Sequence, residues 1–406
     1  MSARTVTPND KSFPLGLVGR EIDHLGAPLA EFSTPIFVLE ADAVQHNLDA
    51  MASWTERRGL ELMPHGKTTM SPVLWNRQLA AGATGITVAT GWQADVALRA
   101  GVPTVQIANA CTDAHLLLRL TAWLDAHADQ ELVCWADSVA TIDLMERVLP
   151  AESRIGVLVE LGASGGRTGA RDEGDAVAIA ERVAASDRLT LRGVAGYEGA
   201  LAHDRSPAGL ASVGAYCDRL ASLVDRVRPL VSGTPWVTAG GSAFFDLVAD
   251  SFSAVPDVRA ILRSGAYLVH DSGFYRGISP IDRSRDTGDD TPLVPAMFGY
   301  ARVVSIPEPG LALLDAGKRD IPFDEGLPVP VGVSDDLGGH ARGLEAEITA
   351  LNDQHTFLRW SGAAPVRIGD VVKLGLSHPC TAFDKWRLVP IVDAHGVVTE
   401  AVETFF

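Results

Sequence analysis

Lysine is nearly missing from this chain. Only Lys11, Lys67, Lys318, Lys373 and Lys385 occur among 34 basic residues, so arginine carries most of the positive charge. Cysteine is as sparse: Cys111, Cys134, Cys217 and Cys380 lie far apart in 406 residues, which is no disulfide framework for a chain this long. Basic charge is also in deficit, 34 residues against 51 acidic ones, for a formal charge of −17. That balance argues against nucleic acid or an anionic membrane as partner, because both need a basic footprint. No apolar run reaches the roughly 18 residues of a membrane span. The opening stretch, MSARTVTPNDKSFPLGL, lacks the apolar core and cleavage site of a signal peptide, so a cytoplasmic protein is expected.

What is present is ordinary globular composition, 47% hydrophobic and 21% charged, in a length that suits two or three domains. Short apolar runs alternate with amphipathic stretches. Strands are predicted at 61–65, 85–90, 103–108, 131–136, 154–161, 189–196, 235–239 and 258–269, with helices at 71–82, 91–100, 112–127, 138–148, 173–186 and 206–228. Strands alternating with helices make βαβ units and a parallel sheet. Eight of them over about 200–250 residues fit an α/β fold of the (β/α)8 barrel type, with a doubly wound open sheet as the alternative. Near residue 290 the pattern changes. Segment 279–295 is polar and rich in Pro, Asp and Gly, and strand-like pieces follow at 300–306, 311–315, 345–350, 355–360, 371–376 and 386–392. The expected division is an N-terminal segment (1–34) packed on the last domain, a barrel (35–290), and a C-terminal all-β domain (291–406). The run 35–40 could join either domain.

Lys67 stands alone between residues 12 and 317. Arginine cannot serve as a neutral amine nucleophile and lysine can. In Pro64-His65-Gly66-Lys67-Thr68, at the end of the first barrel strand, alternation would point His65 and Lys67 the same way. At the C-terminal end of a barrel strand that way is toward the active-site mouth. The plain alternative is an exposed loop lysine. Thr238-Ala239-Gly240-Gly241-Ser242 follows the seventh strand, where barrels commonly bind phosphate and glycines let the backbone come close. A Gly-rich turn carrying Arg167 follows the fifth strand, and Tyr197 closes the sixth. Arg167 could supply a fixed positive charge, and Tyr197 a hydrogen bond or a proton. Far away, Ser377-His378-Pro379-Cys380-Thr381 holds a His-x-Cys pair, which on extended chain would share a face and suit a tetrahedral zinc with open positions. No spacing argument assigns His203 or His270 a role.

Together and in this order, these features resemble the fold-type III pyridoxal-phosphate enzymes, in the branch of D-serine dehydratase and D-threonine aldolase, whose barrel is like that of alanine racemase. PHGKTTMSP is similar to the branch's cofactor-lysine motif, in which Ala is commoner than Gly66. TAGGS resembles its phosphate loop, LRSGAYLVHD its eighth-strand segment, and SHPCTAFDKW its metal motif. The resemblance spans nearly the whole chain.

It implies that Lys67 carries pyridoxal 5'-phosphate and, once released, takes the α-proton of a D-amino acid. It implies cofactor contacts from His65, Thr238, Gly240, Gly241, Ser242 and Tyr267, with Arg167 near the phenolic oxygen and Tyr197 near the pyridine nitrogen. His378 and Cys380 would hold the metal. Aldolase members more often show His-x-Asp, suited to manganese or magnesium, while the soft thiolate of His-x-Cys favours zinc. The chain therefore leans to a zinc-dependent dehydratase that turns D-serine or a related β-hydroxy-D-amino acid into a 2-oxo acid and ammonia. The alternative is a D-threonine aldolase that yields glycine and an aldehyde. A non-catalytic pyridoxal-phosphate carrier is a further reading, disfavoured because such relatives lack the second domain. By the same resemblance a homodimer is expected, with the β domain of one subunit completing its partner's site.

Overall fold

The computed structural model describes residues 4–406. Its first unit is a parallel eight-stranded sheet closed into a barrel. The strands are Glu61–Leu62, Ile86–Val88, Thr104–Ala110, Glu131–Ala136, Ile155–Leu161, Thr190–Gly196, Trp236–Ala239 and Arg259–Leu262, each beside its neighbour in sequence. The eighth pairs with the first. The first and second close the ring through Thr84 N–H on the Leu62 carbonyl and a His65–Thr87 bridge. Every predicted barrel strand is found, and the (β/α)8 expectation is borne out over the open sheet.

Local chemistry explains the elements. Ile155–Leu161 is buried at every position, as a parallel strand covered on both faces must be. The helices that follow start on side-chain caps: Thr90, Asp113, Ser138, Asp172 and Ser206 each accept a first-turn N–H. Met63, Trp135, Leu158, Trp236 and Ile261 help fill the barrel's interior, so it is a packed core with its opening at the strand ends.

Three predicted boundaries change. The run at 35–40 forms the strand Ile36–Glu40, which pairs with Met297–Tyr300 and with Ile391–Val392, so it belongs to the second unit's sheet. The helix Ala41–Glu56 then leads into the barrel. The first strand stops at Leu62 and the eighth at Leu262, because both continue as short 3-10 turns, Gly66–Thr68 and Ala266–Leu268, at the barrel mouth.

The second unit is a ten-stranded sheet built mostly from Met297–Glu308 onward, antiparallel except where Ile36–Glu40 meets Leu388–Val392. The described part of the N-terminal segment, residues 4–34, lies on it; residues 1–3 of that expected segment lie outside the described residues. Arg4 pairs with Glu403, Lys11 with Asp320, and Ala27–Pro28 adds to the strand Val397–Glu403. Segment 279–295 runs between the units and is tied down at both ends, by Asp282 on His270 at 2.7 Å and by Asp290 on Arg57 and Arg58. No described helix is long and apolar enough to cross a membrane.

Candidate active site

A cavity of about 300 Å³ opens at the C-terminal ends of the barrel strands, against the β domain. His65, Lys67 and Thr68 enter it from the turn after the first strand. Arg167 and Tyr197 come from the loops after the fifth and sixth strands, and Gly240, Gly241 and Ser242 from the loop after the seventh. His378 and Cys380 of the β domain complete the wall. The chain's own β domain thus brings His378 and Cys380 to the cavity of Lys67.

Two expected contacts do not line this cavity. Thr238 is fully buried and its hydroxyl accepts from the Arg263 guanidinium. Tyr267 is buried on the 3-10 turn after the eighth strand, with its hydroxyl accepting from Gln78. In each case strand or turn geometry points the side chain into packing, while the neighbouring backbone reaches the opening.

The turn around Lys67 is fixed tightly. A Cβ on Gly66 would come 2.6 Å from Trp75 Nε1 and 2.7 Å from Ile86. Trp75 Nε1 instead donates to the Gly66 carbonyl at 3.2 Å. That tryptophan accounts for glycine where the motif more often has alanine. Across the mouth, a Cβ on Gly265 would meet the His65 backbone at 2.5 Å, so the first- and eighth-strand turns touch main chain to main chain. His65 and Lys67 reach the cavity from this turn, and not by strand alternation.

Burial, followed by the charges of Lys67, Arg263 and Arg167, holds the His65 imidazole well below its ordinary range, so it is neutral. Its Nδ1 and the Trp135 indole N–H, both at the cavity wall, are buried without a partner among the described residues. Unpaired buried groups of this kind fit a polar ligand in the opening. Arg167 stacks over the Tyr197 ring at 4.5 Å. Burial raises the Tyr197 hydroxyl, as does nearby Glu198. The glycine loop holds a surprise. The amides of Gly240 and Gly241 donate to the fully buried Glu198 carboxylate, at 3.1 and 2.5 Å. Glu198 therefore sets the shape of this loop, and those two amides are already paired. Ser242 Oγ accepts from the Ala266 amide at 3.2 Å.

The metal motif is a turn and not an extended run. His378 has φ +62°, and a 3-10 turn covers Pro379–Thr381. The turn still sets imidazole and thiol together. Burial raises the Cys380 thiol, but hydrogen bonds from His378 and Thr68 and nearby charge outweigh it and lower the group. Burial lowers His378, yet Cys380 and Asp324 bring it up to about 9. An imidazole beside a stabilised thiolate is a soft donor pair that fits zinc, with water or substrate in the other positions. No described group of three or more His, Cys, Asp or Glu residues could hold a metal.

Sequence reasoning missed several wall residues. Tyr275, on the short helix Phe274–Ile278, lies against the His378 ring with centroids 6.2 Å apart. Arg263, 3% exposed, spans from Thr238 to the Gly196 carbonyl beneath the cavity wall. Neither has a spacing signal, because both depend on which turn folds over the mouth. His203 does not line the cavity, and His270 is buried on Asp282.

Comparison with known proteins agrees with this architecture. Residues 296–392 match a family described as "Putative serine dehydratase domain". The chain is 27% identical to a D-threonine aldolase of Arthrobacter sp. over 361 residues, 88% of this chain and 89% of that protein. The crystal structure of D-threonine aldolase from Filomicrobium marinum superposes with a TM-score of 0.78 at 27% identity, covering 93% and 97% of the two chains. D-threo-3-hydroxyaspartate dehydratase of Delftia sp. HT23 is 38% identical over 73 residues, 18% of this chain and 19% of its own. Its structure shares the fold, with a TM-score of 0.72 at 22% identity over 93% and 99% of the chains. The resemblance read from the motifs is borne out: the chain is similar along most of its length to D-threonine aldolases, and residues 296–392 match the serine dehydratase domain family.

Proposed function

We propose that this chain is a pyridoxal-phosphate- and zinc-dependent lyase that converts D-serine or a related β-hydroxy-D-amino acid to a 2-oxo acid and ammonia. The observation that carries the reading is the His378–Cys380 pair on the wall of the Lys67 cavity. The relatives are named for both aldol cleavage and dehydration, so they support a lyase acting on β-hydroxy-D-amino acids. The choice between the reactions rests on the thiolate.

When bound, pyridoxal phosphate supplies an electron sink that allows a bond at the substrate's Cα to break. Lys67, the lysine that lines the cavity, would hold the cofactor's carbonyl carbon, and once released its Nζ would take a proton from one face of Cα. Neutral His65, packed beside Lys67, adds no positive charge of its own next to that amine. Ser242, Gly265 and Ala266 line the opening where an anionic group would sit. Arg167, which has no acidic partner among the described residues, offers the cavity a fixed cation. Zinc on His378 and Cys380 would act as a Lewis acid on the β-hydroxyl and help it leave. Loss of the α-proton and the β-hydroxyl, followed by addition of water, gives the 2-oxo acid and ammonia. A homodimer belongs to the same proposal.

The second reading is retro-aldol cleavage to glycine and an aldehyde, favoured by the similarity to D-threonine aldolase along most of the chain. A carrier without catalysis fits poorly, because the β domain brings a donor pair to the lysine. The test is release of pyruvate and ammonia from D-serine by enzyme loaded with cofactor and zinc, with L-serine as control. Activity on D-serine that disappears on chelation and returns with zinc supports the proposal. No 2-oxo acid from D-serine, D-threonine or 3-hydroxy-D-aspartate with fully loaded enzyme contradicts it.

A further inference from the structure

Two carboxylates that do not line the cavity hold His378 from behind. Asp271, fully buried after the eighth strand, accepts the His378 main-chain N–H at 2.8 Å and also the amides of Gly273 and Tyr275. This fixes the residue's backbone in its φ +62° conformation, which few non-glycine residues adopt. The imidazole's remaining freedom is rotation about its side-chain bonds. Asp324, on the segment between the strands Leu311–Leu314 and Val329–Ser334, removes it. Its Oδ2 lies 2.7 Å from His378 Nδ1, and its Oδ1 accepts from the Thr381 hydroxyl at 2.6 Å. Both of its oxygens are therefore committed to the metal turn, which excludes Asp324 as a ligand in this arrangement.

We propose that Asp324 is a positioning residue that fixes the tautomer and ring orientation of His378, so that Nε2 is the nitrogen offered beside the Cys380 sulfur. A proton on Nδ1, donated to Asp324, leaves the lone pair on Nε2. A carboxylate behind a ligating imidazole also raises its basicity, and such partners typically govern metal affinity. With only two protein ligands, loss of one orientation leaves a single firm donor. This inference rests on the metal reading above, and its test separates the two.

The experiment is metal affinity by chelator competition on cofactor-loaded protein, with zinc, and with cobalt(II) as a spectroscopic probe of thiolate and imidazole ligation. Asp324→Ala is expected to weaken zinc binding by about 10- to 100-fold and to perturb the cobalt spectrum. Asp324→Asn keeps a hydrogen-bond acceptor and should fall between Asp324→Ala and wild type. Thr381→Val, which spares the imidazole bond, should cost less than either. Cofactor absorbance should be unchanged in all three, which a merely destabilising change would not allow. Zinc affinity and cobalt spectra like wild type in Asp324→Ala, with binding abolished in His378→Ala, would overturn the positioning role alone. Zinc binding that survives His378→Ala would overturn the metal reading and this inference with it.

Discussion

Thr68 Oγ1 and Cys380 Sγ lie 3.5 Å apart across 312 residues of chain. One follows Lys67 and the other is the thiol of the His378–Cys380 turn, so this contact joins the barrel's first turn to the β domain. The lysine turn supplies an amine, and the β domain supplies a soft donor pair at the same opening.

Replacing Lys67 tests the amine. Lys67→Ala should lose the visible absorbance of bound cofactor and all turnover of β-hydroxy-D-amino acids. Absorption spectroscopy of the purified variant reads the first and a coupled ammonia assay the second. A coloured, active variant would remove Lys67 from the site.

Changing the thiol tests metal choice. Cys380→Asp replaces a soft donor with a hard one, so metal-stripped variant should be reactivated better by manganese or magnesium than by zinc. Wild type should show the reverse order. The same order in both proteins would mean that Cys380 does not select the metal.

Gly66 tests the local packing of the lysine turn. A methyl group there meets the Trp75 indole and Ile86 well inside contact distance. Gly66→Ala should lose about 1–3 kcal/mol of stability in urea unfolding, as overpacking of a filled core does. It should also bind cofactor less well, because the turn that bears Lys67 must shift. Unchanged stability would show that Trp75 yields freely.

Acid should loosen the connection between the units through Asp290. Burial raises this carboxyl, but Arg58 and Arg57 outweigh it and hold the group below the ordinary aspartate range. A depressed folded value gives stability that is present above the unfolded value and lost as pH falls through the folded one. Asp290→Asn should therefore cost about 1 kcal/mol at neutral pH. Its difference from wild type should begin to shrink near about pH 4 and close as pH falls through the depressed folded value, in thermal unfolding across pH. A gap that persists in acid would mean that the ion pair is not its source.

Much of this molecule is legible in its sequence, for identifiable reasons. Barrel strands such as Ile155–Leu161 are apolar runs, interrupted there only by Glu160, and the helices after them begin on Thr, Asp or Ser caps. Lys67, Arg167, Tyr197 and the His378–Cys380 pair stand out because rare residue types or glycine-rich turns mark strand ends. What escaped reading is set by long-range pairing. Ile36–Glu40 could join either domain by its sequence, and only its pairing with Met297–Tyr300 decides it. Helix Ala41–Glu56 follows without a side-chain cap hydrogen bond. Glu198 occupying the glycine-loop amides, Asp324 behind His378, and Tyr267 turned onto Gln78 each depend on a contact between distant segments.

The central claim is that the Cα–H bond breaks and the β-hydroxyl leaves. Product analysis with D-threonine tests it most directly, because one substrate separates the two reactions. Purified enzyme loaded with cofactor and zinc should yield 2-oxobutyrate and ammonia. Glycine and acetaldehyde in their place would contradict the account and assign the chain to aldol cleavage.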